Sequence, residues 1–288
     1  MTMQAEILKD PRYVPLHNAG FVGLIDTMGT DDDICAAARV SYGEGTRRVS
    51  ENRALIRYLM RHRHTSPFEM VELKFHLKMP IFVMRQHVRH RTASLNEYSG
   101  RYSVMSSEMY MPRAERFAFQ SDTNKQGSGE KMTGEQAASI AGTLADTFLT
   151  AEKNYHNTLD EGLARELARI QMPLANYTEL YWKIDLRNFF HYVKLRADSH
   201  AQEEIRDYAD AMYALVKAKY PMACEAFEDY WQKGVEFSQQ EMMLVKRIMS
   251  KQRWDDVQYD LRDDDALAQH YGLSKRELSE FKQKLDLE

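Results

Sequence analysis

Two stretches of this chain alternate apolar and polar side chains with a period of two. In Met70–Met79, the residues Val71, Leu73, Phe75, Leu77 and Met79 fall on one side, and Glu72, Lys74, His76 and Lys78 on the other. In Tyr177–Leu186, the residues Thr178, Leu180, Trp182, Ile184 and Leu186 share a side. Successive side chains of a strand point to opposite faces, so both stretches read as half-buried strands. A third run, Phe21–Gly29, reads as a short buried strand ended by glycine. Each alternating stretch leads into a basic helical pattern. Pro80 suits the first turn of a helix, where its missing N–H costs nothing. The helix expected over Pro80–Arg91 gathers Arg85, Gln86, Arg89 and His90 along one side. The helix after the second strand carries Arg187, His191 and Arg196, with Phe189, Val193 and Ala197 turned to the core.

The remaining pattern is mainly helical. Asp31–Asp33 open a helix where the macrodipole favours acids, and a second helix runs from Ser50 to Met60. Gly100 ends a loop, and Arg101–Ser106 reads as another strand. Residues 112–133 are polar and aperiodic, so a long loop or insertion is expected there. Helices are expected from Gly134 to His156, from Glu161 to Met172 (stopped by Pro173), over Ala201–Tyr220 and after Pro221. Strands and helices interleave without a regular βαβ rhythm, which points to an α+β fold: residues 1–234 as one domain, with residues 235–288 as an appended helical tail.

Composition narrows the partners. The 288 residues are 43% hydrophobic and 28% charged, as in a globular protein with a sizeable core. A net charge of −4 excludes a global field that seeks polyanions, so any affinity for phosphate must be local. No apolar run reaches the ~20 residues that cross a bilayer. The first residues lack the apolar core of a secretory signal, so a cytoplasmic location is expected. Two cysteines, Cys35 and Cys224, suit a reducing compartment and read as small core residues. No G-x-G-x-x-G follows a strand and no Walker lysine loop is present. The pairs His62/His64 and His87/His90 lack a Cys or carboxylate partner in a standard zinc spacing, so no metal site is expected.

The densest chemistry lies in RHRTASLNEYSGRY, Arg89–Tyr102. Arg89, Arg91 and Arg101 offer forked donors suited to phosphate or to a planar base edge. Three cations this close repel one another, and Glu97 alone cannot neutralise them. A bound anion, contacted also by backbone N–H groups around Ser99 and Gly100, would explain the cluster. The alternative is a solvated basic loop. Gln86 lined up with Arg89, and the neutral and acidic Asn96, Glu97 and Ser99, add a selectivity that a charge clamp does not need. The second Arg/His helix points the same way.

The segment also contains R-H-R-x7-S, Arg89-His90-Arg91 followed by Ser99, and so resembles the flavin-dependent thymidylate synthases. AARVSYG near residue 40, HTSPFEM at 64–70, RELARIQMPL at 165–174 and LRADSHAQ at 195–202 extend the resemblance in order over roughly residues 20–230. It implies a fold with a central, mostly antiparallel sheet flanked by helices. It also implies reductive methylation of dUMP to dTMP, with methylenetetrahydrofolate as one-carbon donor and NADPH-reduced FAD as hydride source. Family members are homotetramers with active sites shared between subunits. Flavin-free thymidylate synthases need a cysteine nucleophile, and no cysteine lies in the loaded segments here.

By resemblance, the dUMP surface comprises Gln86, His87, Val88 and Arg89, then Glu97, Tyr98, Ser99, Gly100 and Arg101, with Arg169 and Arg196. Ser99 is then a binding hydroxyl, not a nucleophile. Arg196 is the catalytic candidate, a fixed cation that polarises the uracil ring. The implied FAD contacts are His64, Ser66, Arg89, His90, Arg91, Glu97, Asp185, Arg187 and His191. Met70 stands where many relatives have histidine, and Asp185 and His191 where some have amides. A different class of function attaches to the tail, whose DALAQHYGLSKRELSEFKQKL has the look of a helix–turn–helix, with a turn at Gly272 and a capping box at Ser274/Glu277. The acidic DDVQYDLRDDD beside it would repel DNA phosphates, so nucleic acid is not expected as a partner.

Overall fold

The computed structural model describes residues 9–41, 51–122, 125–240, 242–243, 245, 269 and 271–284. Its contacts divide the chain into two compact units, Met1–Phe227 and Glu228–Glu288. The first unit begins with a hairpin of β1 (Tyr13–Leu16) and β2 (Gly20–Met28), followed by α1 (Asp31–Val40) and α2 (Asn52–Arg61). A 3-10 turn over Ser66–Met70 leads into β3 (Glu72–Pro80), α3 (Ile81–His87) and β4 (Ser94–Glu97). A second hairpin, β5 (Ala118–Gln120) with β6 (Ser128–Lys131), precedes the long helix α4 (Gly134–Asp160) and the short α5 (Arg165–Ala168). Then come β7 (Tyr177–Asp185), α6 (Leu186–Arg196), α7 (Glu203–Lys219) and α8 (Pro221–Phe227).

The central sheet has five strands in the order β1-β2-β3-β7-β4, every pair antiparallel. This is the α+β architecture that the sequence pattern and the family resemblance both pointed to. β3 and β7 pair over nine residues, from Glu72 opposite Asp185 to Pro80 opposite Tyr177. The alternation therefore sends Leu73, Phe75, Leu77, Leu180, Trp182 and Ile184 to one face, where all are buried. Phe189 of α6 stacks on Phe75 there, with ring centroids 5.5 Å apart.

The other face departs from the expectation of a solvated side. His76 and Lys78 are buried. His76 sits between the Tyr13 hydroxyl at 2.9 Å and the Glu179 carboxylate at 2.7 Å, and Tyr181 stacks on its ring. Lys78 forms an ion pair with Glu108 at 2.5 Å. A small cluster of Ala19, Tyr110 and Tyr177, with Phe82 and Ala175 against it, covers this end of the sheet. Side chains brought in from distant segments bury the polar face, and each charge there is paired as burial requires.

Four further expectations need correction. Arg101–Ser106 is not a strand: Tyr102 and Ser103 both donate to the Ser99 carbonyl, which closes a turn, and Met105 N–H goes to the Tyr155 hydroxyl. The strand in this region is β4, upstream, paired along the free edge of β7. The helix after β3 stops at His87, short of Arg91. The polar stretch 112–133 contains the β5–β6 hairpin, and the helix expected over 161–172 is a four-residue helix followed by a 3-10 turn at Arg169–Gln171.

Both cysteines are free and buried, as their apolar contexts suggested, and burial pushes the Cys35 thiol up. Among the described residues, no helix is long and apolar enough to cross a membrane. In the second unit, α9 (Lys275–Lys284) carries the capping box read from the sequence: Ser274 N–H donates to Glu277, and Glu277 N–H to the Ser274 hydroxyl. Gly272 precedes it with φ 67°. Most of the segment expected to form the first helix of the helix–turn–helix lies outside the described residues.

Glu204, only 3% exposed, is the buried anion that joins α7 to the hairpin region. Its carboxylate accepts from Arg116 at 2.8 Å, Tyr110 at 2.9 Å and Gln202 at 2.7 Å. Burial by itself would raise its pKa, but the Arg116 hydrogen bond and charge overcome that and hold it below the ordinary carboxylate value. Glu204→Ala leaves Arg116 the longer Glu203 contact at 3.7 Å and the Ser128 hydroxyl in place of its closest anion, so it should cost about 3 kcal/mol of stability. The measurement is the urea midpoint at unchanged m-value, and a loss below about 1 kcal/mol would show that this network does not hold the unit together.

Candidate active site

Because β3 and β7 are antiparallel, the helices that follow them leave from opposite ends of the pair. α3 and α6 then double back over the same face and meet above Trp182. His87 packs edge-on against Trp182 at 4.3 Å, and Tyr192 lies 5.2 Å from the same ring. The two strand-then-basic-helix units of the sequence therefore do converge. At their meeting point Arg196, on the last turn of α6, donates from Nε to His90 Nε2 at 3.0 Å and from Nη2 to the Gln86 carbonyl at 3.3 Å.

That geometry sets the state of His90. A guanidinium has no acceptor and does not lose its proton, so His90 Nε2 must offer a lone pair and Nδ1 must carry the hydrogen. Burial, with the Arg196 and His191 charges, pushes the His90 pKa down to about 4. His87 is fully buried beside it, and burial, His90 and Arg196 push its pKa down to about 3. Its Nδ1 lies 3.2 Å from the Tyr192 hydroxyl, while its Nε2 has no partner. The meeting point of α3 and α6 thus sets two neutral imidazoles, His87 and His90, beside one fixed cation.

A cleft of about 250 Å3 is lined by Ile81, Glu97, Tyr98, Gly100, Arg169 and Thr178 among others. Glu97, at the end of β4, accepts from the Thr178 hydroxyl at 2.7 Å. Tyr98 N–H extends the pairing to the Glu179 carbonyl, and its hydroxyl donates to the Val104 carbonyl. The Ser99 hydroxyl accepts from Arg101 N–H at 3.3 Å, inside the tight turn. Among the described residues, no imidazole bonds to it, and a serine nucleophile would need such a base. A Cβ at Gly100 would lie 3.0 Å from Met105 and 3.3 Å from Arg169, so a glycine keeps this wall of the cleft open.

The arginines of the loop do not all await an anion. Arg101 pairs with Glu166 at 3.2 Å, with both side chains more than half exposed. Arg169 donates to the Glu166 carbonyl at 3.4 Å. Arg89 and Arg91 are exposed, and neither has a side-chain partner among the described residues. Val88 is exposed at the end of α3. On the other helix, Asp185 caps α6 by accepting from Asn188 N–H at 2.8 Å. Arg187 donates to Asn188 at 2.6 Å and leaves a buried Nε without an acceptor. His191 lies 6.0 Å from the His90 ring. His64 and Ser66 are exposed around the 3-10 turn and neither hydrogen-bonds to nor stacks on these clusters.

The expected residues thus fall into two groups, Gln86–His90–His191–Arg196 and Glu97–Tyr98–Gly100–Arg169, with His64 and Ser66 in neither. Sequence reasoning missed four supporting residues: Thr178, Glu166, Gln202 and Glu204. Gln202 accepts from the Gln86 amide at 2.5 Å and donates in turn to Glu204. Glu166 and Gln202 lie inside the quoted motifs and Thr178 on the alternating face, but nothing in those patterns names their partners, since each acts on a residue about 65 or more positions away.

The family model described as thymidylate synthase complementing protein matches residues 23–222. The chain is 50% identical over 243 residues to a flavin-dependent thymidylate synthase of Ruegeria pomeroyi, covering 83% of this chain and 80% of that protein. It is 48% identical over 230 residues to the enzyme of that name from Wolbachia pipientis, covering 80% and 81%. Among solved structures, it resembles a UMP/dUMP methylase, PolB of Streptomyces cacaoi, bound with 5-Br UMP. The TM-score is 0.67 with 33% identity, over 76% of this chain and 97% of that one. With a family model spanning most of the first unit and relatives near half identity along their length, the chain belongs to the flavin-dependent thymidylate synthase family.

Proposed function

We propose that this protein converts dUMP to dTMP by reductive methylation, with 5,10-methylenetetrahydrofolate as one-carbon donor and NADPH as reductant of a bound FAD. The observation that carries the reading is Arg196, a guanidinium held by His90 and the Gln86 carbonyl at the junction of two basic helices. Nε and one Nη2 hydrogen are committed to the protein, and the remaining N–H donors are left for a ligand. Beside the N3–carbonyl edge of a uracil ring, such a cation stabilises the anionic form of the ring and makes it easier to attack. The neutral His87 and His90 place no competing positive charge beside it.

The phosphate end falls to the turn after β4. Arg101 and Glu166 form an exposed ion pair, which is worth little, so Arg101 exchanges Glu166 for phosphate at small cost. Arg169 lines the same cleft, and the N–H groups of the Ser99–Arg101 turn add donors of no net charge. Gln86, His87, Val88 and Arg89 approach from the end of α3, with Glu97 and Tyr98 below. Neither cysteine reaches this surface, both being buried elsewhere. A covalent route through a thiolate therefore lacks its residue.

The residues also suit a flavin dinucleotide. Arg89 and Arg91 are cations without a side-chain partner among the described residues, and Arg187 keeps a buried donor unmatched there. With His64, Ser66, His90, Glu97, Asp185 and His191 they form the donor set for FAD, whose chemistry is to supply the hydride. The separation of His64 and Ser66 from the rest fits a homotetramer in which neighbouring subunits complete each site. A cytoplasmic enzyme acting on small molecules, with no membrane or nucleic-acid partner, is the corresponding cellular reading.

Purified protein should be yellow, tetrameric by light scattering, and should form dTMP from dUMP, methylenetetrahydrofolate and NADPH. A colourless protein that takes up no FAD and makes no dTMP would overturn the reading. Arg196→Lys should lose most turnover, about 100-fold or more, while FAD remains bound, because a lysine cannot reproduce the planar fork. Full activity in that variant would remove Arg196 from the mechanism.

The pH dependence follows from His90. Its pKa is depressed when folded, so the unfolded chain takes up a proton near the ordinary value of 6.5 that the folded protein refuses until about 4. Stability should therefore fall as pH drops through this window, and His87 contributes in the same direction. The Arg196–His90 bond itself should persist down to about pH 4. An imidazole NMR titration reads this directly, and a His90 midpoint near 6.5 would contradict the arrangement.

A further inference from the structure

Gln202 stands between an anion that can only accept and a side chain of the candidate active site. It is the N-cap residue of α7, yet its side chain does not cap that helix. Its Nε2 donates to Glu204 Oε2 at 2.7 Å, and its Oε1 accepts from Gln86 Nε2 at 2.5 Å. The two ends of a carboxamide have nearly the same shape, so the chemistry of the neighbours decides which end faces which. Glu204 makes that decision. Its Oε1 accepts from Arg116 Nε at 2.8 Å and from the Tyr110 hydroxyl at 2.9 Å, and its Oε2 accepts from Arg116 Nη2 at 3.3 Å. Held by a guanidinium, the carboxylate stays ionised and has no hydrogen to give. Gln202 must therefore turn its N–H to Glu204 and its carbonyl oxygen to Gln86.

The same constraint passes one residue further. Gln202 offers Gln86 only an oxygen, so Gln86 must answer with Nε2–H. Reversing the Gln86 amide would set two carbonyl oxygens against each other at 2.5 Å. Gln86 Oε1 is therefore turned away from Gln202. It has no hydrogen-bond partner among the described residues, and the side chain is only half-buried, so this acceptor stays open to a ligand. The main chain of the same residue is fixed as well, since its carbonyl accepts from Arg196 Nη2 at 3.3 Å. Gln86 thus holds the candidate catalytic arginine with its backbone and presents an oriented amide with its side chain.

We propose that Gln202 is a positioning residue, which sets the Gln86 amide so that its Oε1 accepts a hydrogen bond from an N–H or O–H group of the bound nucleotide. Gln202 acts through Gln86, and the polarity it transmits originates in Glu204. The proposal rests on dUMP as the substrate. Calorimetric titration of dUMP into the flavin-loaded full-length enzyme, with steady-state kinetics beside it, tests it. Gln202→Met removes both hydrogen bonds at similar length. Gln202→Asn keeps an amide and a favourable N-cap but stops one methylene short of Gln86. Gln202 is exposed, and in both variants Glu204 keeps Arg116 and Tyr110, so neither change puts the fold at stake. Each should weaken dUMP binding about tenfold, the worth of one hydrogen bond, and raise KM for dUMP with kcat held within about twofold. In a Gln86→Met background, Gln202→Met should add less than about twofold, because the residue through which it acts is gone. Unchanged dUMP affinity in the single variants, or a full tenfold loss in the Gln86→Met background, would overturn this role while leaving dUMP as the substrate. Failure of the unaltered protein to bind dUMP would overturn the substrate reading and this role with it.

Discussion

Between Glu72–Asp185 and Pro80–Tyr177, β3 and β7 pair without interruption, and that register decides where the rest of the molecule sits. A slip of one residue would move Phe75, Leu77, Trp182 and Ile184 out of the core and turn Lys74, His76 and Lys78 into it. The antiparallel sense matters equally. It makes the succeeding helices leave from opposite ends, so that they return and cross at Trp182, and the polar ends of α3 and α6 meet there. The Arg196–His90 bond is a consequence of strand pairing more than of any attraction between the two side chains, which gain little from contact beyond one hydrogen bond.

The site rests on a contrast in burial. Arg196, Gln86 and the imidazoles lie where water is partly excluded, so charge there is expensive and the histidines give up theirs. The loop arginines lie in solvent, where Coulomb attraction is screened and partners are exchanged cheaply. A polarising cation benefits from the first environment because its field is less damped. A phosphate clamp benefits from the second, since its donors have to be released from one another before a ligand arrives. Glu204 supports the first of these: a buried carboxylate bound by Arg116, Tyr110 and Gln202, with Gln202 holding the Gln86 amide.

Much of this was legible in the sequence. Leu73, Phe75 and Trp182 announced their strands because a half-buried sheet imposes period two on side-chain chemistry. Arg89–Tyr102 declared itself through charge density and the R-H-R-x7-S spacing. The stretch Arg101–Ser106 misled, because its alternation of Tyr102, Val104 and polar neighbours looks the same whether it pairs with a strand or closes a turn on Ser99. His76 and Lys78 misled for the opposite reason. Their polarity is real, but the burial comes from Tyr13, Tyr181 and Glu108, which are remote in sequence.

What the sequence by itself determined is local: which segments can be strands or helices, which side chains carry charge, and which family those side chains place the chain in. What only the tertiary structure decided is partnership. That His90 is the neutral acceptor of Arg196 and that Glu166 rather than Glu97 meets Arg101 both depend on contacts across many tens of residues or more. Periodicity and propensity act over a few residues of chain, whereas protonation, burial and pairing are set by whatever the folded chain brings within a few ångströms.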